Sequence, residues 1–71
     1  MTLDLSARER QVARLIASGM TNVEIAAQLG ISPLTVKWHV SEMLRKLGLR
    51  RRLQLALWIR EKGEKSPRSA G

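Results

Sequence analysis

The side chains that offer chemistry in this sequence are mostly cationic. Thirteen residues are lysine or arginine and six are aspartate or glutamate, which gives a formal net charge of +7 over 71 residues. An excess this large in so short a chain favours a polyanionic partner, either nucleic acid or an anionic membrane surface. The densest basic segment is Arg50-Arg51-Arg52. A phosphate there could accept hydrogen bonds from the guanidinium groups and from a helix N-terminus, although a solvated basic turn explains these residues equally well.

The remaining side chains give little support to catalysis or metal binding. The chain has no cysteine and one histidine, His39, which argues against a zinc site and against a thiol nucleophile. No glycine-rich phosphate loop is present, and no second histidine could serve as a base. We therefore expect no enzyme activity, no catalytic residue, no metal and no cofactor. His39 lies at the edge of an apolar helix face, where we expect a packed and hydrogen-bonded structural residue.

Short capping motifs divide the chain into four predicted helices. Capping boxes begin at Ser6 and Thr21, each with a glutamate three residues later, and Ser32-Pro33 gives an N-cap followed by proline at the first helical position. A glycine is expected to end each helix, namely Gly19, Gly30, Gly48 and Gly63. The predicted helices span about 7–18, 22–29, 33–47 and 51–62. They form one domain, residues 1–63, and we expect a disordered tail over 64–71.

Aliphatic residues recur at helical spacing, and no long run of alternating β-branched residues is present, so the predicted fold is all-α, a compact four-helix bundle. The second and third helices, separated by Gly30-Ile31-Ser32, have the outline of a helix-turn-helix. We expect Ile31 to fill the space beneath this turn. No apolar run approaches the roughly 20 residues that span a bilayer, and the N-terminus is no signal peptide. We expect a cytoplasmic chain without a membrane partner.

The third predicted helix has one apolar side and one free side. On a helical wheel the apolar side collects Val36, Val40, Met43, Leu44 and Leu47. The opposite side carries Leu34, Lys37, Trp38, Ser41, Glu42 and Arg45. A large aromatic residue near the centre of an exposed side is more often a contact residue than a structural one. We expect Glu42 to pair along the helix with Arg45 or Lys46.

The fourth predicted helix is apolar nearly all round. Leu53, Ala56 and Leu57 fall on one side, and Leu55, Trp58 and Ile59 fall on another. A domain this small cannot bury both sides against its own core. One side must therefore pack inward and leave the other for a partner, and the pattern does not decide which. The candidates for a dimer contact are Leu53, Leu57 and Trp58.

With these features together, the stretch from Leu5 to Ile59 resembles the LuxR-type DNA-binding domain, also called NarL/FixJ or GerE-like. The matching residues include Arg8-Glu9, Glu24-Ile25-Ala26, Thr35-Val36-Lys37, His39 and Lys46-Leu47. The resemblance implies a four-helix domain whose third helix enters the major groove of double-stranded DNA. Family members are mostly bacterial transcription regulators, often response-regulator effector domains, that bind paired sites as dimers through the fourth helix. RNA polymerase would be a further partner.

The resemblance also implies roles for individual residues. Lys37, Trp38 and Ser41 would face bases, with Lys37 suited to guanine O6 and N7 and Trp38 able to cover a thymine methyl or pack on a sugar. Contacts to the DNA backbone would come from Thr21, Asn22, Ser32, Thr35, Arg45, Lys46, Arg50, Arg51 and Arg52. Val23, Trp38, Ser41 and Arg51 depart from residues common in the family, so target sequences of relatives do not transfer to this chain.

Two other interpretations stay open at the level of sequence. Region 4 of sigma factors also uses a helix-turn-helix to bind promoters, although Arg8-Glu9 and the Thr35-Val36-Lys37 segment favour the LuxR type. Alternatively, the basic charge and the apolar fourth helix could make the chain a protein-interaction or membrane-surface module. Binding to duplex DNA at two salt concentrations separates these classes, because contacts to phosphate are salt-dependent.

Overall fold

The computed structural model describes residues 5–62 of the 71-residue chain, and within them it contains four helices and no strand. The helices are α1 (Ala7–Ala17), α2 (Asn22–Leu29), α3 (Pro33–Leu47) and α4 (Arg52–Lys62). The predicted all-α fold is confirmed. Helices α2 and α3 have the predicted limits, whereas α1 ends and α4 begins one residue inside theirs. Gly63 and the predicted tail lie outside the described residues.

Reciprocal side-chain hydrogen bonds begin the first two helices, as the sequence predicts. The Ser6 N–H donates to Glu9 Oε1 over 2.9 Å, and the Glu9 N–H donates to Ser6 Oγ over 3.1 Å. Thr21 and Glu24 form the same pair of bonds over 2.8 and 3.2 Å. Each box satisfies backbone N–H groups that have no partner inside the helix. The starts of α1 and α2 are therefore fixed by residues only three positions apart.

Glycine ends α2 and α3 by adopting a left-handed backbone. Gly30 has φ 71° and Gly48 has φ 69°, a conformation that costs glycine little because it has no Cβ. After Gly30, the Ile31 N–H donates to the Ala26 carbonyl over 3.0 Å, and after Gly48, the Leu49 N–H donates to the Leu44 carbonyl over 2.9 Å. This hydrogen-bond pattern closes a helix and turns the chain sharply. Ile31 packs beneath the turn against the core, as expected.

All four helices contribute to one aliphatic core, in which α1 packs mainly against α4 and α3, and α2 packs mainly against α3. The completely buried side chains include Val12 of α1, Ile25 of α2, Val36 and Met43 of α3, and Leu55 of α4. With Val36 and Met43 buried, the opposite side of α3 is held towards solvent. None of the helices between Ala7 and Lys62 has the length and apolar character needed to cross a bilayer.

The side of α4 that packs inward, which the sequence leaves undecided, is the one carrying Leu55 and Ile59, both buried. Leu53 and Leu57 lie on the free side, 67% and 49% exposed. Trp58, a dimer-contact candidate on the sequence, packs against the core and is half-buried. The free apolar surface of α4 is therefore centred on Leu53 and Leu57.

Candidate nucleic-acid interface

The outward side of α3 brings together the three residues that the sequence suggests for base contacts. Lys37, Trp38 and Ser41 are all exposed, and with Leu34 they line one shallow, open depression on the surface. We call these four residues the α3 face. Their positions follow from helical geometry, because residues three and four apart lie next to each other on one side of a helix.

Two parallel rows make up the α3 face. Leu34 and Trp38, four residues apart, form an apolar row, and both are exposed, at 74% and 59%. Lys37 and Ser41, also four residues apart, form a polar row beside it. Within residues 5–62, no carboxylate pairs with Lys37, so its ammonium group is available to a ligand. The face offers donors and apolar surface together, which is what the edges of bases in a major groove can bind.

The N-termini of α2 and α3 supply exposed hydroxyl groups at Thr21, Ser32 and Thr35. Thr21 caps α2, and Ser32 caps α3 by accepting from the Thr35 N–H over 3.1 Å. The hydroxyls of Ser32 and Thr35 also share a hydrogen bond of 3.0 Å. A helix N-terminus carries unpaired N–H groups and a partial positive charge. These two helix starts are suited to bind a phosphate group.

Arg45 sits near the C-terminal end of α3 and is largely exposed, but it is paired. Its Nη2 donates to Glu42 Oε1 over 2.7 Å. The expected pairing of Glu42 along the helix is confirmed, with Arg45 as its partner. This contact removes much of the repulsion that a lone carboxylate on this side would exert on phosphate. Exposed pairs of this kind are weak and screened by salt, so a phosphate can replace the carboxylate.

Lys46 is held by another part of the fold, and its side chain is 33% exposed. Its Nζ lies 2.8 Å from Glu9 Oε1 and 3.1 Å from Glu9 Oε2, and Glu9 is buried. Burial raises the pKa of Glu9, but hydrogen bonds from Lys46 and Ser6 outweigh burial and leave the pKa below its usual value. The carboxylate thus stays charged and ties the start of α1 to the end of α3. A lysine with this partner is poorly placed to bind DNA phosphate.

Arg52 is also engaged internally, unlike its two neighbours. Its Nη2 donates to the Met20 carbonyl over 2.7 Å, and its Nη1 donates to Asn22 Oδ1. The guanidinium group therefore joins the first residue of α4 to the loop before α2. Asn22 uses its side-chain oxygen in this contact, which leaves its amide NH₂ as a donor. The side chains of Arg50 and Arg51 are exposed.

The start of α4 has a capping group that the sequence analysis does not identify. Gln54 Oε1 accepts from the backbone N–H groups of Arg50 and Arg51 over 2.7 and 2.8 Å. Because Gln54 already accepts from these two N–H groups, a phosphate at this turn would be bound by the guanidinium groups rather than by these backbone donors. The available signal is the position of Gln54, three residues after Arg51, where glutamine completes a capping box. This capping box is hard to recognise in the sequence because position 51 is arginine rather than serine or threonine.

His39 differs from expectation in one respect. It is half-buried, and its ring meets the Trp38 ring edge-on, with centroids 5.4 Å apart and planes at 66°. Its Nδ1 is buried without a hydrogen-bond partner among the described residues, so the expected hydrogen bond is absent at this atom. The ring packs against Trp38, and that contact orients the indole on the α3 face.

Groups of three or more potential metal ligands are absent from the described part of the chain. The cationic and hydroxyl groups that surround the α3 face are suited to an anionic polymer. Lys37, Thr21, Ser32, Thr35, Arg50 and Arg51 are exposed, Arg45 is exposed but paired, and Lys46 and Arg52 serve the fold. The structure therefore divides the predicted DNA contacts into free groups and structural groups.

Comparison with known proteins gives consistent matches over most of the chain. Residues 3–59 match the model of the family described as bacterial regulatory proteins, luxR family. The nitrate/nitrite response regulator protein NarL of Escherichia coli (strain K12) is 44% identical over 57 residues, which cover 80% of this chain and 26% of NarL.

Two further relatives are more similar over slightly shorter stretches. The two-component response regulator PprB of Pseudomonas aeruginosa is 51% identical over 53 residues, covering 75% of this chain and 19% of PprB. The transcriptional regulatory protein UhpA of Salmonella typhimurium is 52% identical over 52 residues, covering 73% of this chain and 26% of UhpA. The matched segment is thus about a quarter or less of the length of these relatives.

Proposed function

Because the chain belongs to the luxR family of bacterial regulatory proteins, we propose that it binds double-stranded DNA in a sequence-specific manner as the DNA-binding part of a transcription regulator. The three relatives described above are named as regulators. The observation in this chain that supports the proposal best is the α3 face, where Lys37, Trp38 and Ser41 are exposed on a helix whose other side is buried.

In this proposal α3 lies in the major groove. The groove is about 12 Å wide, and an α-helix with its side chains is about 10–12 Å across, so one helix fills it. The core residues Val36 and Met43 fix the rotation of α3 and hence the direction of the α3 face. Lys37 then donates to a guanine edge, and Ser41 donates to or accepts from a neighbouring base.

Contacts to phosphate position the helix and supply most of the affinity. Thr21, Ser32 and Thr35 lie at the helix starts, and Asn22 can donate through its free amide NH₂. Arg50 and Arg51 reach the backbone from the turn before α4, and Arg45 does so after exchanging Glu42 for a phosphate. Lys46 and Arg52 are left out of this set, because Glu9, Met20 and Asn22 already hold their donors.

The free side of α4 gives the proposed regulator a means of pairing on DNA. Leu53 and Leu57 expose apolar surface that the monomer core does not use. Contact between these leucines in two copies would place two α3 helices on two half-sites. Binding both half-sites together raises the apparent affinity by making the second contact intramolecular.

Selection of bound sequences from random duplexes tests the proposed function. We expect one half-site motif to be enriched, and a duplex carrying it to compete at least about a hundredfold better than a scrambled duplex of the same composition. Affinity for the selected duplex should also fall steeply between about 50 and about 200 mM salt. If no motif is enriched and the affinity does not depend on salt, the proposal fails. The sigma-factor interpretation predicts promoter sequences among the enriched sites.

A further inference from the structure

Two large apolar side chains occupy the centre of the surface proposed to meet DNA. Leu34 is 74% exposed and Trp38 is 59% exposed, although both belong to a helix with a buried apolar side of its own. Neither contributes to the core cluster of buried and packed residues. Paired apolar side chains on an otherwise cationic surface indicate a contact that removes them from water.

The spacing of the two residues matches the spacing of bases. Four residues of α-helix rise about 6 Å, and successive base pairs lie about 3.4 Å apart. A helix lying along the groove therefore brings Leu34 and Trp38 to bases about two steps apart. Lys37 lies between them in sequence and beside them on the surface, so its donor reaches the base edges next to the apolar row.

We propose that Leu34 and Trp38 are specificity-determining residues that bind thymine 5-methyl groups in the half-site. This inference rests on the proposed function. The thymines lie within two steps of each other and flank a guanine contacted by Lys37. The row thereby adds thymine preference at positions where no hydrogen bond is made.

Thymine is the occupant that the chemistry favours. Among the base edges in the major groove, the 5-methyl group of thymine is the apolar one, whereas the others present donors and acceptors. Leu34 and Trp38 have no polar atom to offer there, apart from the indole N–H. The indole also meets the His39 ring edge-on, a geometry that aromatic pairs prefer. A sugar contact would use the same surface but would not distinguish thymine from uracil.

The test removes the methyl groups without changing base pairing. Each thymine of the selected half-site is replaced in turn by deoxyuridine, and Kd is measured for the wild-type chain and for the variants Trp38→Ala and Leu34→Ala. We expect at least one substitution to weaken wild-type binding by about fourfold, the effect of exposing one methyl-sized group. The same substitution should change the Kd of the corresponding variant by less than about twofold.

Val23→Ala is the matched control, because Val23 is an apolar residue 65% exposed on α2, outside the α3 face. It should retain the full response to deoxyuridine. Circular dichroism of every variant establishes that the helices remain, so loss of binding is not confused with unfolding. Trp58→Phe leaves Trp38 as the single indole, and its emission should shift to shorter wavelength when the selected duplex binds.

The outcomes separate this inference from the proposed function. If specific binding persists and deoxyuridine at every thymine leaves the wild-type Kd unchanged within about twofold, the thymine contact is wrong while the proposed function stands. If the two alanine variants lose affinity without any response to deoxyuridine, the apolar row packs on sugar or on a protein, which also overturns the inference. If no duplex is bound specifically, both proposals fail.

Discussion

At the scale of single residues, some cations of this chain are bonded to other residues of the fold, whereas others are available to a ligand. Lys46 donates to Glu9. Arg52 donates to Asn22 and to the Met20 carbonyl. Lys37 projects from the α3 face without a carboxylate among the described residues. The cations of one small domain thus include groups that stabilise the fold and a group that is available to a ligand.

The Glu9–Lys46 pair leads to a prediction about acid stability. Because the pKa of folded Glu9 is lowered, its contribution is fully present above the ordinary glutamate pKa of about 4.3 and is lost as pH falls through the folded value. Glu9→Gln keeps a capping residue at this position but removes the ion pair. We expect it to lower the free energy of unfolding by about 1–3 kcal/mol near neutral pH.

Urea unfolding of wild type and Glu9→Gln at several pH values checks this prediction. The difference in stability between the two chains should shrink as the pH is lowered below about 4. Glu24→Gln is the matched control, since it alters an exposed capping box without an ion pair to another helix. A difference that stays constant down to about pH 2.5 would contradict the role assigned to the charge.

At the scale of elements, helix limits are predictable from the sequence where local contacts set them. Ser6 with Glu9 and Thr21 with Glu24 act over three residues, so pattern alone identifies the starts of α1 and α2. The inward side of α4 is not predictable, because both of its sides are apolar and the choice depends on packing against α1 and α3. The Arg52 contacts are hidden for a similar reason, since their partners lie 30 and 32 residues away.

Substitutions at Arg52 and Arg51 distinguish an arginine that stabilises the start of α4 from one that contacts DNA. Arg52→Ala should lower the free energy of unfolding by about 1–3 kcal/mol, because the Met20 carbonyl and Asn22 lose their donor. It should leave the slope of log K against log salt unchanged. Arg51→Ala should have little effect on stability but should reduce that slope by about 0.9, the loss of one phosphate contact.

Urea unfolding and salt titrations on the two variants measure both quantities. Arg52→Lys refines the comparison, because one ammonium group cannot reproduce two hydrogen bonds directed from a planar guanidinium group. It should therefore restore only part of the stability. A reduced salt slope in Arg52→Ala, with stability intact, would show that Arg52 binds phosphate instead.

The two sides of α4 predict opposite results for the same substitution. Leu57→Glu places a charge on the free side, where it should leave the monomer folded but weaken binding to a duplex with two half-sites by about tenfold or more. Leu55→Glu places the same charge in the core, where an unpaired carboxylate should unfold much of the chain. Circular dichroism and titrations against one-site and two-site duplexes distinguish them.

Two results would contradict this assignment of the α4 surface. Unfolding of Leu57→Glu would show that Leu57 supports the core. Unchanged binding to both duplexes, with the fold intact, would show that the free side of α4 does not pair two copies. Leu53→Glu, one helical turn earlier on the same side, should reproduce the behaviour of Leu57→Glu.

At the scale of the whole molecule, charge and fold act together. The net charge of +7 attracts any polyanion, and by itself it does not distinguish DNA from a membrane surface. The fold determines which surface can meet the partner, because the buried side of α3 fixes which of its residues face outward. Composition thus predicts the class of partner, the capping motifs predict the helices, and the family match adds the helix-turn-helix context. Which cations are free is known only once the helices are packed.

Base analogues that alter one groove at a time test the central claim, that the α3 face reads the major groove. In the selected half-site, 7-deazaguanine removes the major-groove N7 acceptor, and inosine removes the minor-groove amino group. We expect 7-deazaguanine at the guanine contacted by Lys37 to weaken wild-type binding by about fivefold or more, and inosine to change it by less than about twofold.

Lys37→Ala supplies the control for that measurement, because it should bind more weakly, discriminate less among bases and respond equally to the two analogues. Circular dichroism should show the variant folded, since Lys37 is exposed. We expect sensitivity to the major-groove change in the wild type and its loss in Lys37→Ala. Sensitivity to inosine but not to 7-deazaguanine would place the contact in the minor groove and contradict the account.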